Sequence, residues 1–445
     1  MPPAKMKKIS LYLAIIFITC GSFLFSPCWD AYTIEGERSS CFALNNQMRV
    51  VICADTYNFI WLATEPSQLL KKNTYRQSRP LFVMAGRFVG LGVYYLSYPF
   101  HSKIDAFLKN NTSFLPQYYD YETNTGTYFF CFYIGFLIIN VIILLICLLL
   151  FEKIVKALSG EWKNGTLLFS LILAVLLSHP VTKVFFWSVH QQLFNILTPL
   201  LSVYIGILIL KKRAGTKKLF LISIGLGLLL LFYGNFLLAL PVLVGCYLYA
   251  EKKKGTNRGY ASLLYSLLFV ILFFLPATIW ILYLKSINVT IYNPELVEYR
   301  QFIWIVDRLK EHSFLYFFWR KTLAFLFSTG TLFVPMVLLI IFLLWKKISR
   351  QDVVYTNTSE NVPGLARLVL FVLIETVIFF WLLGYYADRL TSSLAPLLMI
   401  IFALMMNRKK LGKPAIVFFI LVLSGFFFYN IFVEPIYFSR SIFNS

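Results

Sequence analysis

The side chains best suited to chemistry in this 445-residue chain are a few carboxylates and cations. Asp55 opens the aromatic run Asp55-Thr56-Tyr57-Asn58-Phe59-Ile60-Trp61, and Asp30 stands upstream in Pro27-Cys28-Trp29-Asp30. A carboxylate in either place can act as a general base, and Asp55 can equally cap a helix. Arg79, Arg87, Arg300 and Arg389 offer forked N–H donors that match a phosphate, and Lys183 offers a point charge. Asp388 is a ready ion-pair partner for Arg389. Lys183 and His190 belong to a short, unusually polar turn from Ser178 to Gln192. His101, His179, His190 and His312 lack the paired spacing of metal ligands, so no divalent metal is expected.

The elements that must position these residues are membrane spans. Apolar residues make up 59% of the chain, charged residues 14%, and mean hydropathy is +0.73. A soluble chain carries roughly 25% charged residues, so a water-soluble enzyme is excluded. Apolar runs occur at 9–26, 128–151, 166–180, 191–210, 219–232, 236–250, 261–282, 326–345, 368–384, 391–407 and 415–433. At ~20 residues per crossing, the expected fold is an all-α polytopic membrane protein. It has about eleven transmembrane helices in a single domain over 1–445. The runs at 166–180, 219–232 and 236–250 are short; the last two are either two passes around Tyr233-Gly234-Asn235 or a re-entrant pair.

The net charge of +21 is unevenly placed. Segments 1–8, 152–165, 211–218, 251–259, 346–367 and 408–413 hold 23 of the 41 Lys and Arg residues, against five acids. Such loops translocate poorly, so they are expected in the cytoplasm. All six fall on one side of the eleven-span count. The N-terminus is then a cytoplasmic signal anchor and the C-terminus lies outside. These loops are too short and scattered for nucleic acid.

The outer face receives two long loops, 27–127 and 283–325. The stretch 81–100 reads as a helix that lies on the membrane surface or dips in and returns. Phe302–Ile305 and Phe314–Trp319 read as interfacial helices among membrane lipids. Glu375, inside an apolar run, is a functional carboxylate or a partner of nearby Arg367. Cys28, Cys41 and Cys53 allow one disulfide, whose pairing stays open.

Three features together resemble the GT-C superfamily of integral-membrane glycosyltransferases, of the polyprenyl-phosphate-sugar-dependent type. The first is Asp55 with its aromatic run, followed by Arg76-Gln77-Ser78-Arg79-Pro80-Leu81-Phe82. The second is the late stretch Gly384-Tyr385-Tyr386-Ala387-Asp388-Arg389-Leu390. The third is the placing of the long outer loops, after span one and between spans seven and eight. The chain departs from the family in lacking an Asp-Glu pair soon after span one: Asp55 is followed by Thr56 and lies well beyond the span.

The resemblance implies transfer of a hexose or pentose from a polyprenyl-phosphate-sugar donor. The acceptor is a lipid-linked or other glycan at the non-cytoplasmic face, as in cell-envelope glycan assembly. The membrane is a bacterial plasma membrane, or the endoplasmic reticulum in a eukaryote. Asp55 is the implied base, with Asp30 as the alternative. Arg79, Arg87, Lys183, His190, Arg300 and Arg389 are the implied substrate-binding residues, and no cofactor is called for. A second acid is dispensable because phosphate is a good leaving group, unlike a sugar alkoxide. Two other readings stay open. One is a glycan polymerase or ligase that uses outer arginines without a carboxylate base. The other is a lipid-linked sugar transporter or flippase that depends on Glu375.

Overall fold

The computed structural model describes residues 3–26, 40–43, 49–52, 54–110, 126–254, 259–298, 300–311, 313–348, 362–407 and 411–434. Asp30, Cys28, Cys53 and His312 lie outside them, as does the side chain of Cys41, so the Asp30 alternative and the disulfide fall outside the described residues.

The described residues are almost wholly helical. Helix α1 (Pro3–Gly21) precedes a small antiparallel hairpin, β1 (Ser40–Ala43) and β2 (Arg49–Ile52), in which Ser40 faces Ile52. The first long loop continues through α2 (Ala54–Thr64), α3 (Pro80–Leu96) and α4 (His101–Asn110). There follow α5 (Gly126–Ser159), α6 (Thr166–Leu177), α7 (Pro180–Phe186), α8 (Phe194–Leu210), α9 (Thr216–Leu230), α10 (Ala239–Lys253) and α11 (Gly259–Ser286). The second long loop carries α12 (Pro294–Val297), α13 (Ile303–Lys310) and the start of α14 (Phe314–Ser328). The chain then runs through α15 (Phe333–Ile348), α16 (Val362–Leu383), α17 (Asp388–Thr391), α18 (Ala395–Asn407) and α19 (Lys413–Phe432).

Among the described residues, eight helical stretches are long and apolar enough to cross a membrane, or up to ten if each of two bent pairs is one span. Of the eleven expected runs, 166–180, 219–232 and 368–384 are not among the eight, and 166–180 falls within one of the bent pairs. Helix α9 has 15 residues, ~23 Å at 1.5 Å per residue, less than a ~30 Å hydrocarbon core. Helix α6 stops before Pro180 and α7 leaves it at 71°. Pro180 has no N–H to continue α6 but suits the first position of α7, where His179 Nδ1 accepts from Val181 N at 3.3 Å. The expected turn at Tyr233-Gly234 is present, yet Gly234 does not use a positive φ.

The stretch 81–100, expected to lie on the membrane surface or to dip in and return, forms α3 and packs against a span. Helix α3 runs antiparallel to the first part of α5, and the two backbones touch. A Cβ on Gly135 would lie 2.7 Å from the Gly90 Cα, and one on Gly86 would lie 2.0 Å from the Phe136 ring. Glycine is needed there for close approach. Helix α4 bends away at 63° and is tied to α5 through Asp105 and Thr127.

The two ends of the bundle differ in kind. At one, several basic segments meet. Lys8 pairs with Glu152, which also accepts from Tyr12 Oη at 2.7 Å. Asn164 Nδ2 donates to Met406 O at 2.7 Å, its Oδ1 accepts from Leu411 N at 2.8 Å, and Lys211 donates to Ala157 O. At the other end the two long loops join. Gln77 accepts from Trp280 Nε1 and Tyr292 N, each at 3.0 Å, and Trp304 Nε1 donates to Leu382 O at 2.9 Å. Between the ends lies the apolar core, centred on α5, α6, α8, α10 and α18. Helix α11 leaves Tyr260, Leu263, Leu264, Leu267 and Ile271 exposed, an apolar face suited to lipid.

Candidate functional site

A buried ionic cluster forms where the two loops join. Asp55 lies in the first turn of α2, where a negative charge suits the helix dipole. Phe59, Ile60, Leu62 and Ala63 of α2 are fully buried and lock its position. Downstream, Thr74 Oγ1 donates to Gln68 O at 2.7 Å, and the fully buried Gln77 donates to Leu69 O at 2.7 Å and Lys71 O at 3.1 Å. This knot presents Arg76 with φ 65°. A left-handed Arg costs roughly 1–2 kcal/mol, so contacts must hold it there. The Arg76 guanidinium lies 4.7 Å from the Tyr75 ring centroid and 5.9 Å from that of Phe59.

Arg76 Nε and Nη2 donate to Asp55 Oδ1 at 2.9 and 2.5 Å. Arg76 Nη1 donates to Glu295 Oε1 at 2.8 Å, and Arg79 Nη2 donates to the same oxygen. Glu295 belongs to α12, whose start is capped by Asn293 Oδ1 accepting from Glu295 N at 3.1 Å. Arg79 also lies over the Tyr233 ring, 5.3 Å from its centroid.

His190 closes the far side of Asp55, with Nε2 2.9 Å from Oδ2. Its Nδ1 accepts from Gln192 N at 3.1 Å, so the neutral ring carries its proton on Nε2 and donates to Asp55. Asn140 of α5 fixes the turn ahead of His190, donating to the carbonyls of Phe185, Phe186 and Ser188 at 3.0–3.2 Å.

The electrostatics follow from this geometry. Burial alone would raise the Asp55 pKa, but Arg76 and His190 hold it far below the usual carboxylate range. Burial works the same way on Glu295, and Arg79 and Arg76 outweigh it, so Glu295 is also depressed. Burial pulls His190 down to about 4, against the opposing pull of Asp55. Two arginines therefore balance two carboxylates, and the imidazole stays neutral. Arg389 adds a positive field, since Asp55, Tyr233 and Arg76 all lie within its electrostatic reach. Its carbonyl is held by Gln192 Nε2 at 2.7 Å and Asn195 Nδ2 at 3.3 Å.

The structure thus brings Asp55, Arg79, His190 and Arg389 together, and places the other named cations elsewhere. Arg87 donates to the last carbonyls of α2, Ala63 O at 3.0 Å and Thr64 O at 2.8 Å. Arg300 is exposed and paired with Asp307. Lys183 is fully buried in a second polar cluster, bonded to Ser26 Oγ at 2.7 Å and to Asn430 O, while Asn430 donates to Ser178 at 3.0 Å. Glu375 does not pair with Arg367; neither of its carboxylate oxygens has a hydrogen-bond partner among the described residues. No group of three or more His, Cys, Asp or Glu able to hold a metal occurs among the described residues.

Three members of the cluster were not singled out from sequence. Arg76 was visible as the first arginine of an Arg-x-x-Arg-Pro stretch. Glu295 and Tyr233 left no such signal, because they reach the site only through tertiary folding. No family model matches the chain, and no curated protein or solved structure matches it.

Proposed function

We propose that this chain is a GT-C-like membrane glycosyltransferase. It moves a sugar from a polyprenyl-phosphate donor to a lipid or glycan acceptor at the non-cytoplasmic face. The observation that carries the reading is the Asp55 carboxylate, buried and held anionic by Arg76 and His190, at the end of the bundle opposite the basic segments. Helix α9, helix α16 and the bent pair α6–α7, added to the eight long helices, make eleven crossings. The N-terminus is then cytoplasmic and the C-terminus outside.

In this reading the acceptor hydroxyl oxygen attacks the anomeric carbon as the carbon–phosphate-oxygen bond breaks. Polyprenyl phosphate leaves with the electron pair, and Asp55 takes the hydroxyl proton. A carboxylate of low basicity suffices when that proton leaves late, from an oxygen already bonded to carbon and strongly acidic. Arg389 is the cation for the phosphate. His190 stays neutral and keeps Oδ2 oriented.

The test supplies membranes containing the protein or its Asp55→Asn variant with a labelled polyprenyl-phosphate sugar. A new glycosidic product from the parent alone is expected; equal product from both would remove Asp55 as base. Glu375 favours a second reading, transport of a lipid-linked sugar, because its carboxylate oxygens are buried in an apolar helix with no hydrogen-bond partner among the described residues. Transport across vesicles that fails with Glu375→Gln, without a new glycosidic bond, would establish it.

A further inference from the structure

The Arg79–Glu295 pair is incomplete in a way that points to a ligand. Only Arg79 Nη2 and Glu295 Oε1 are joined. The remaining terminal nitrogen, Arg79 Nη1, and the remaining oxygen, Glu295 Oε2, are both buried and have no hydrogen-bond partner among the described residues. Arg79 is 8% exposed. A buried donor or acceptor left unmatched costs ~1–3 kcal/mol, and more for a charged group. Here a donor and an acceptor on two paired side chains are unmatched together.

The chemistry of the complement is narrow. Arginine nitrogen only donates and carboxylate oxygen only accepts. A phosphate brings acceptors alone and is repelled by Glu295; an ammonium brings donors alone and is repelled by Arg79. An alcohol does both. We infer that Arg79 Nη1 and Glu295 Oε2 together read one hydroxyl of the substrate sugar, and so set which sugar is used. This rests on the glycosyltransferase reading, and it gives Arg79 a role distinct from holding phosphate. The pair lies where loop one, loop two and the Tyr233 turn meet, one residue pair away from Asp55 through Arg76.

The experiment measures binding and transfer separately. The probes are undecaprenyl-phosphate glucose, mannose and arabinose with their mono-deoxy analogues, offered to the purified protein in nanodiscs. A site built on a substrate hydroxyl rejects the analogue lacking it by up to ~10⁴-fold, so one deoxy position is expected to lose at least ~100-fold in binding. In Glu295→Gln, and independently in Arg79→Lys, that preference is expected to fall below about threefold, whatever happens to the overall rate. A merely structural role would lower binding of parent and deoxy probes in parallel and keep their ratio, which would overturn the inference. It would also be overturned if no probe binds or if no deoxy position is discriminated; an ordered water then satisfies the pair. Discriminating binding without transfer would sink the glycosyltransferase reading and leave the hydroxyl site standing.

Discussion

Two arginine–carboxylate pairs near the same end of the molecule show what burial changes. Arg76 and Arg300 both adopt a left-handed backbone, with φ 65° and 50°, and both make forked contacts to an aspartate. The side chains of Arg76 and Asp55 are 9% and 13% exposed, whereas those of Arg300 and Asp307 are 52% and 29% exposed. Water screens the second pair, so it holds a loop and little else. The first is embedded among Glu295, Arg79 and His190, where each charge depends on its neighbours. The same residue types therefore make a surface clasp in one place and a buried, mutually dependent charge network in the other.

The comparison can be broken most forcefully by removing the shared cation. Arg76→Met leaves Asp55 and Glu295 buried without their common partner. A loss of about 3–5 kcal/mol is expected, read as a lowered midpoint of unfolding in detergent. The buried pair also needs α3 pressed against α5. Gly135→Ala places a Cβ 2.7 Å from Gly90 and should cost about 1–3 kcal/mol as the helices part, with a fall in transfer rate.

A pH series sharpens the contrast. His190 is held neutral, its pKa lowered from the ordinary 6.5 to about 4. Between those values the unfolded chain binds a proton that the folded chain refuses, so stability should fall as pH drops from 6.5 to 4. Above 6.5 this contribution is fully present. Thermal midpoints of His190→Asn should show a shallower slope across that window. The smallest effect belongs to the exposed pair: Arg300→Ala should change stability by about 1 kcal/mol at most, measured the same way.

Sequence patterns reached the framework better than the site. Charge density picked out six basic segments, and the structure brings parts of four of them, 1–8, 152–165, 211–218 and 408–413, to one end. Helical runs were legible because an apolar stretch of spanning length has few alternatives. The bend at Pro180 was not, since a short run reads alike whether it is tilted, broken or re-entrant. Within the site, Asp55 was legible from its place before an aromatic helix. Glu295 lies 219 positions from Arg76, and nothing local to Asn293-Pro294-Glu295 announces that partner. Arg87 and Arg300 illustrate the converse: residue type and sidedness singled them out, and local geometry engages them with backbone carbonyls and with Asp307. Which arginine meets which carboxylate depends on packing across loops.

Matched substitutions in the two pairs test the central claim most directly. The initial rate of sugar transfer in proteoliposomes is measured for Asp55→Asn and Asp307→Asn beside the parent. A general base contributes ~10²–10⁴-fold, so Asp55→Asn should lose at least ~100-fold while Asp307→Asn stays within about twofold. Equal rates for all three proteins, or equal losses in both variants, would contradict the assignment of the chemistry to the buried pair.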